Sequence, residues 1–277
     1  MQPKRPAVRY HGGKWNLAPW IISHFPAHRV YVEPFGGGGS VLLRKPRCYA
    51  EVYNDLDGEI VNVFRVLRDD GAKLSSALHL TPFARDEFEL SYTESDDPVE
   101  QARRTIIRSF MGFGSNGATG YNTGFRANSN RSGTTPAHDW ANYPKELPAI
   151  IERLRGVVIE NRDAIQVMDA HDGLETLHYV DPPYLPETRN KGGDYKHEMT
   201  EAEHLELLGF LRSLSGAVVL SGYQSQMYDE ALPGWTKATR AALADGARDR
   251  VEVLWLNAKA SQQASLFSGS HPGGMVV

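Results

Sequence analysis

Four residues, Asp181, Pro182, Pro183 and Tyr184, close a short apolar run that begins at Thr176. Proline donates no backbone N–H and interrupts a central ladder, so strand pairing must stop near Asp181, leaving the Pro182 carbonyl without a strand partner. The tip therefore offers a carboxylate, a carbonyl and an aromatic ring, a set suited to gripping a flat ring that bears an NH₂ group. Such an amine is a poor nucleophile, because its lone pair is delocalised into the ring. If Asp181 and the Pro182 carbonyl each accept one N–H, the nitrogen is drawn toward tetrahedral geometry and its lone pair turns toward a methyl donor. The positive charge that then develops is stabilised. Tyr184 can stack on the ring. Taken alone, four such residues fit better a strand-ending turn whose aspartate caps the next element.

A second constellation lies upstream. In "YVEPFGGGGSVLL" (31–43), Glu33 ends an apolar run, and Phe35 and Gly36 open a four-glycine turn into an apolar helix start. Glycines let the backbone approach a ligand closely at the carboxyl edge of a sheet, and they equally suit a tight strand-to-helix connection. About twenty residues on, "YNDLDGE" supplies Asp55, where an acid commonly holds a ribose hydroxyl. This pair fits NAD, flavin or S-adenosylmethionine alike. The Asp-Pro-Pro-Tyr tip favours the last, since a dehydrogenase has no evident use for it.

These residues need a sheet to position them. The runs 28–33, 48–54, 156–160, 177–181, 216–222 and 250–257 are short, apolar and suited to buried strands, most of them parallel. Helical patterns lie between them. In "TEAEHLELLGFLRSL", Thr200 and Glu203 have capping-box spacing, and leucines 205, 208, 211 and 214 are expected to form one face. The pattern is that of an α/β sheet with helices on both faces.

From about residue 57 to 143 the alternation gives way to helices, then to a Gly/Asn/Ser-rich stretch expected to be a mobile basic loop or hairpin. In the helix "DPVEQARRTIIRSFMGF", Asp97 can cap, Pro98 takes the first position and Glu100 can close the box. The chain carries a net charge of −4, yet residues 101–138 hold five arginines (Arg103, Arg104, Arg108, Arg126, Arg131) and no acid. Such asymmetry suits a phosphate-binding face, and also a solvated helix and loop. The domain reading is a catalytic unit of 1–56 and 144–277 interrupted by a helical insertion of 57–143.

Composition limits the alternatives. Cys48 is the only cysteine, which excludes an internal disulfide and a cysteine-built zinc site. The histidines have no metal spacing, so no metal is expected. No run approaches the roughly 18 apolar residues of a membrane span, and the N-terminus lacks a signal-peptide pattern, so the expected location is cytoplasmic with no membrane partner.

Four stretches together resemble the Dam-type DNA adenine methyltransferases: "RYHGGKWNLAPWI" (9–21), "VEPFGGGGSVLL" (32–43), "NDLDGEIVNVF" (54–64) and "DPPY" (181–184), in the family's order. The resemblance runs from about Arg9 to Asn257. It implies a Rossmann-like S-adenosylmethionine-dependent methyltransferase sheet with an inserted target-recognition domain, acting on double-stranded DNA, bacterial and nucleoid-associated or phage-encoded, with a homodimer open. By resemblance, Tyr10, Lys14, Asp55 and Asp181 contact the cofactor and Phe35 and Gly36 line its pocket beside Glu33. Asp181 and Tyr184 also hold an adenine flipped out of the duplex. The five arginines fall where the family reads DNA, and the polar stretch 185–198 is expected to close over the base. Two rivals remain: transfer to the cytosine N4 amino group, and a non-catalytic DNA-binding regulator. Methylation at cytosine C5 needs a cysteine nucleophile, and Cys48 lies in a strand-like run.

Overall fold

The computed structural model describes residues 2–114, 122–127, 133–185, 196–243 and 249–261 of the 277. Among them, seven strands form one sheet: β1 Val30–Glu33, β2 Ala50–Asn54, β3 Val157–Glu160, β4 Thr176–Val180, β5 Ala217–Tyr223, β6 Thr236–Leu243 and β7 Asp249–Leu256, in the order β3-β2-β1-β4-β5-β7-β6. The first five are parallel, and β7 runs antiparallel to both β5 and β6. β1 pairs with β2 on one side and with β4 on the other, so the strand order reverses there. The loops leaving β1 and β4 diverge to opposite faces and open a crevice at their carboxyl ends.

The side-chain alternation of the strands fills two cores. Tyr31, Tyr53, Leu177, Tyr179 and Val219 face one cluster, and Val32, Val52, Val180, Val218 and Leu220 face the other. On the first face lie α1 Ala18–Ile22, α2 Ser40–Arg44, α3 Gly58–Asp69, α4 Gly71–Leu80, α5 Arg85–Leu90, α6 Pro98–Met111, α7 Pro136–Asn142 and α8 Leu147–Leu154. The second receives α9 Ala164–His171, α10 Glu201–Leu211 and α11 Gln226–Ala231.

The described residues of the helical segment 57–143 share their core with the sheet. Phe64 of α3 and Ile106 and Phe110 of α6 belong to the same buried cluster as Tyr31 and Tyr53 of the sheet. A boundary at residue 57 therefore marks a change of secondary structure and no break in packing. In α6, Asp97 caps the helix by accepting from the Val99 N–H, and Pro98 takes the first position. Glu100 does not close the box; its carboxylate binds Arg103 and Arg104.

In α10 the capping box of Thr200 and Glu203 is complete. The buried face, however, is His204, Leu207, Leu208 and Leu211, while Leu205 is 47 % exposed. Strict three-residue spacing drifts around a helix of about 3.6 residues per turn, so the expected stripe cannot stay on one side. β6 escaped the sequence reading because "TKATRAAL" lacks an apolar run. No helix of the described residues is long and apolar enough to cross a membrane.

Candidate active site

β1, β2 and β4 deliver one acid each to the crevice. Glu33 ends β1, while Asp55 and Asp181 follow β2 and β4 directly. All three line a single cavity of about 540 Å³, together with Tyr10, Lys14, Phe35, Gly36, Asp57 and Pro183. The volume lies within the range of small-molecule sites.

The glycine turn is strapped to the loop beyond β2. Gly36 N–H donates to the Asn54 carbonyl (2.7 Å), Asn54 Nδ2 to the Pro34 carbonyl (2.8 Å) and Gly37 N–H to Asp55 Oδ2 (2.7 Å). The Tyr53 hydroxyl donates to the Gly37 carbonyl at 2.7 Å. The missing side chains make room for the protein's own rings: a Cβ on Gly36 would stand 2.2 Å from the Tyr53 ring, and one on Gly37 2.9 Å from Tyr10. The tight connection thus explains these glycines without appeal to a ligand.

Burial disfavours charge on all three acids. It pushes Glu33 up to about 8, against the hydrogen bonds from the Tyr31 hydroxyl and the Leu42 N–H and with the help of nearby Asp181. Asp55 is pushed up to about 6, with the Asp57 and Gly37 N–H groups pulling it back. Asp181 also reaches about 6: burial raises it, the Lys14 ammonium opposes, and Glu252 adds to the rise.

Lys14 is the cation of the cluster. Its side chain is 6 % exposed, its Nζ lies 3.5 Å from Asp181 Oδ1 and 3.8 Å from Glu252 Oε1, and it donates to the Gly12 carbonyl at 3.0 Å. The same ammonium sits 4.4 Å from the centre of the Tyr184 ring. Tyr184 is not the open platform the sequence suggested. It is 5 % exposed, meets Tyr223 edge-on at 4.5 Å, and donates its hydroxyl to Glu252 Oε2 at 3.0 Å, with Ser221 Oγ at 3.4 Å. The Lys14 ammonium is the donor nearest the buried Asp181 Oδ1, at a long 3.5 Å, and among the described residues no hydrogen-bond donor reaches Asp57 Oδ2.

The sequence of this cleft matches a known set of enzymes. Residues 10–252 match the family of D12 class N6 adenine-specific DNA methyltransferases. The chain belongs to that family. The type II methyltransferase M.MjaIII of Methanocaldococcus jannaschii is 25 % identical over 243 residues, covering 76 % of this chain and 80 % of the relative. The type II methyltransferase M1.LlaDCHI of Lactococcus lactis is 28 % identical over 216 residues, 70 % and 71 % of the two chains. The DNA adenine methylase of Escherichia coli is 24 % identical over 197 residues, 67 % of each. Membership makes the protein an enzyme that methylates the N6 amino group of adenine in DNA, and implies S-adenosylmethionine as its donor.

The arginines of this D12 methyltransferase divide. Arg103 forms ion pairs with Glu87 and Glu100 (2.7 Å each), and Arg104 binds Glu100 and the carbonyls of Thr93 and Glu94. Arg108, 4 % exposed, pairs with Glu59 at 2.7 Å and donates to the Ser91 carbonyl at 2.6 Å. The basic patch counted along the chain is therefore largely neutralised in space by acids from α3, α5 and the first turn of α6. Arg126 lies where the chain returns antiparallel against the end of α6, and its Nη1 donates to the Phe110 carbonyl at 3.0 Å. Arg131 lies outside the described residues, as does most of the segment expected to close over the base.

Sequence reasoning missed two acids. Glu252 was visible as a lone acid within the apolar run of β7, and Asp57 as the second acid of "DLDGE". Asp57 caps α3 through the Glu59 N–H and receives Lys196 Nζ at 3.1 Å from the far wall of the cavity.

Proposed function

We propose that Asp181, the Pro182 carbonyl and Tyr184 hold the target adenine, and that Tyr10, Lys14, Glu33, Phe35, Gly36 and Asp55, with Asp181, form the S-adenosylmethionine site. The observation that carries this reading is the convergence of the three strand-end acids and Lys14 on one cavity, where the Lys14 ammonium stands 3.5 Å from Asp181 Oδ1.

The residues fit the cofactor. Buried carboxylates suit hydroxyl and ammonium donors, Lys14 suits a carboxylate, and Tyr10 and Phe35 offer ring faces. The cofactor supplies a methyl group on a sulfonium. Asp181 and the Pro182 carbonyl each accept one N–H of the adenine amino group, which localises the lone pair and stabilises the developing charge. Lys14 must swing off the Tyr184 ring before a base can stack there. The amine nitrogen takes the methyl carbon and later gives up a proton, and the group that leaves is a neutral sulfide, so transfer needs no Lewis acid and is expected to proceed without metal.

Double-stranded DNA is the proposed substrate, with the target adenine flipped into the cleft. Arg126 and Arg131 are the proposed DNA contacts. Arg103, Arg104 and Arg108 hold α6 in place, and any phosphate contact they make must compete with their ion pairs. Titration calorimetry of S-adenosylmethionine against Lys14→Ala and Asp55→Ala tests the cofactor assignment. Affinity should fall at least about tenfold in each, the order set by one lost charge-assisted hydrogen bond, and wild-type affinity in both would remove these residues from the site.

A further inference from the structure

Glu252 is a buried acid without a part in the chemistry above. It is 5 % exposed on β7, where Val253 and Leu254 beyond it are wholly buried and Val251 before it is 48 % exposed. β7 pairs antiparallel with β5, and Glu252 stands opposite Tyr223, whose ring meets Tyr184. Its two oxygens do different work. Oε2 accepts the Tyr184 hydroxyl at 3.0 Å, and Oε1 lies 3.8 Å from Lys14 Nζ.

A strand in the middle of a ladder is a firmer support than the loop that follows β4. Tyr184 sits in that loop, beyond two prolines that take no part in strand pairing, so the backbone alone fixes its ring poorly. Lys14 helps hold the ring only while it lies over it. Once that ammonium moves off to admit a base, the hydroxyl's 3.0 Å bond to Glu252 still ties the ring to β7. The contact with Ser221 Oγ is long at 3.4 Å, and Asp181, whose charged form the hydroxyl also favours, sits in the same loop as the ring.

We infer that Glu252 is a positioning residue for methyl transfer: it anchors the Tyr184 hydroxyl from β7 and so sets the plane on which the adenine stacks. This rests on the reading of Tyr184 as the base platform. Its action on the base platform passes through the 3.0 Å hydrogen bond to the Tyr184 hydroxyl, whose length is decisive, while the contact with Lys14 is long at 3.8 Å.

The test uses the full chain with S-adenosylmethionine and duplex DNA carrying a site that the wild-type enzyme methylates. Glu252→Ala should lower kcat about tenfold with little change in KM for the cofactor, the order expected for one lost hydrogen bond to a charged acceptor. Glu252→Gln keeps an acceptor at the same reach and should recover most of kcat. Glu252→Asp keeps the charge, withdraws it by one methylene and should stay slow. Adding Tyr184→Phe to Glu252→Ala should cost no more than about twofold further, because both remove the same bond.

If Glu252→Asp matches wild type while Glu252→Gln is as slow as alanine, charge and not reach matters, and the inference is overturned. Additive losses in the double variant overturn it too. Should the alanine variant not fold, the glutamine and aspartate pair carries the test. Failure of the underlying reading is distinguishable, for then Tyr184→Ala would itself leave kcat unchanged.

Discussion

The Lys14 ammonium lies 3.5 Å from Asp181 and directly over the Tyr184 ring, at 4.4 Å from its centre. On the proposed reading, a cation thus occupies the place where the adenine would stack and stands beside the acid that would accept its N–H groups. Replacing Asp181 by Ala should cut turnover by about a hundredfold or more, because a preorganised charge acceptor is lost where charge develops. DNA binding should change far less. A gel-shift titration beside single-turnover kinetics checks this, and a loss confined to binding would argue against a role in the chemical step.

The acidity of the cleft predicts opposite pH trends for activity and stability. Only ionised Asp181 accepts from both the base and Lys14, so kcat/KM of the free enzyme should rise with pH through about 6. For stability, Glu33 is raised from 4.5 to about 8 in the folded chain, and Asp55 and Asp181 from 3.8 to about 6. A raised acid binds its proton more tightly when folded. Its contribution is complete below the unfolded value and is lost as pH climbs through the folded one. The melting temperature of the ligand-free protein should therefore fall between about pH 4 and 8 through these three groups. Glu33→Gln should flatten the upper part of that fall, and an unchanged slope there would show that Glu33 ionises normally.

At Gly36 the expected effect is steric. A methyl group 2.2 Å from the Tyr53 ring must push the glycine turn off the loop beyond β2. Gly36→Ala should destabilise by about 1–3 kcal/mol, the usual cost of overpacking, and weaken cofactor binding in step. Denaturant melts and calorimetry read the two effects. Wild-type stability would mean that the Tyr53 ring yields easily.

The arginines should separate by experiment as they do in space. Arg108→Ala strips Glu59 of a buried partner and the Ser91 carbonyl of its donor. It should lower stability by about 2–4 kcal/mol, toward the low end for a broken buried pair because Glu59 is partly exposed. Arg126→Ala with Arg131→Ala should leave the melt nearly unchanged. DNA affinity should fall, with the salt slope dropping by roughly one unit for each phosphate no longer neutralised. A double variant with unaltered affinity, salt slope and site preference would take this segment off the DNA-binding surface.

The sheet was legible because each buried strand is an apolar run, and six of the seven described strands, the five parallel ones and β7, followed from that alone. β6 was not, since its pairing with β7 rests on backbone bonds and its side chains are mostly short or polar. Asp181, Asp55 and Glu33 were legible as acids at strand ends. Glu252 was not read as functional, because its partners Tyr184 and Lys14 lie 68 and 238 residues away along the chain. The basic patch misled for the same reason: counting along residues 101–138 omits Glu59, Glu87 and Glu100, which the fold brings to the arginines.

Transfer of a methyl group to adenine N6 through Asp181 can be read directly by nucleoside mass spectrometry. Duplex DNA is incubated with S-adenosylmethionine carrying a labelled methyl group and excess chelator, with wild-type protein and with Asp181→Ala in parallel. Labelled N6-methyladenine is expected from the wild type, and at most about one hundredth as much from the variant. Label in N4-methylcytosine, label that appears only when metal is restored, or equal label from both proteins would contradict the assignment of this cleft.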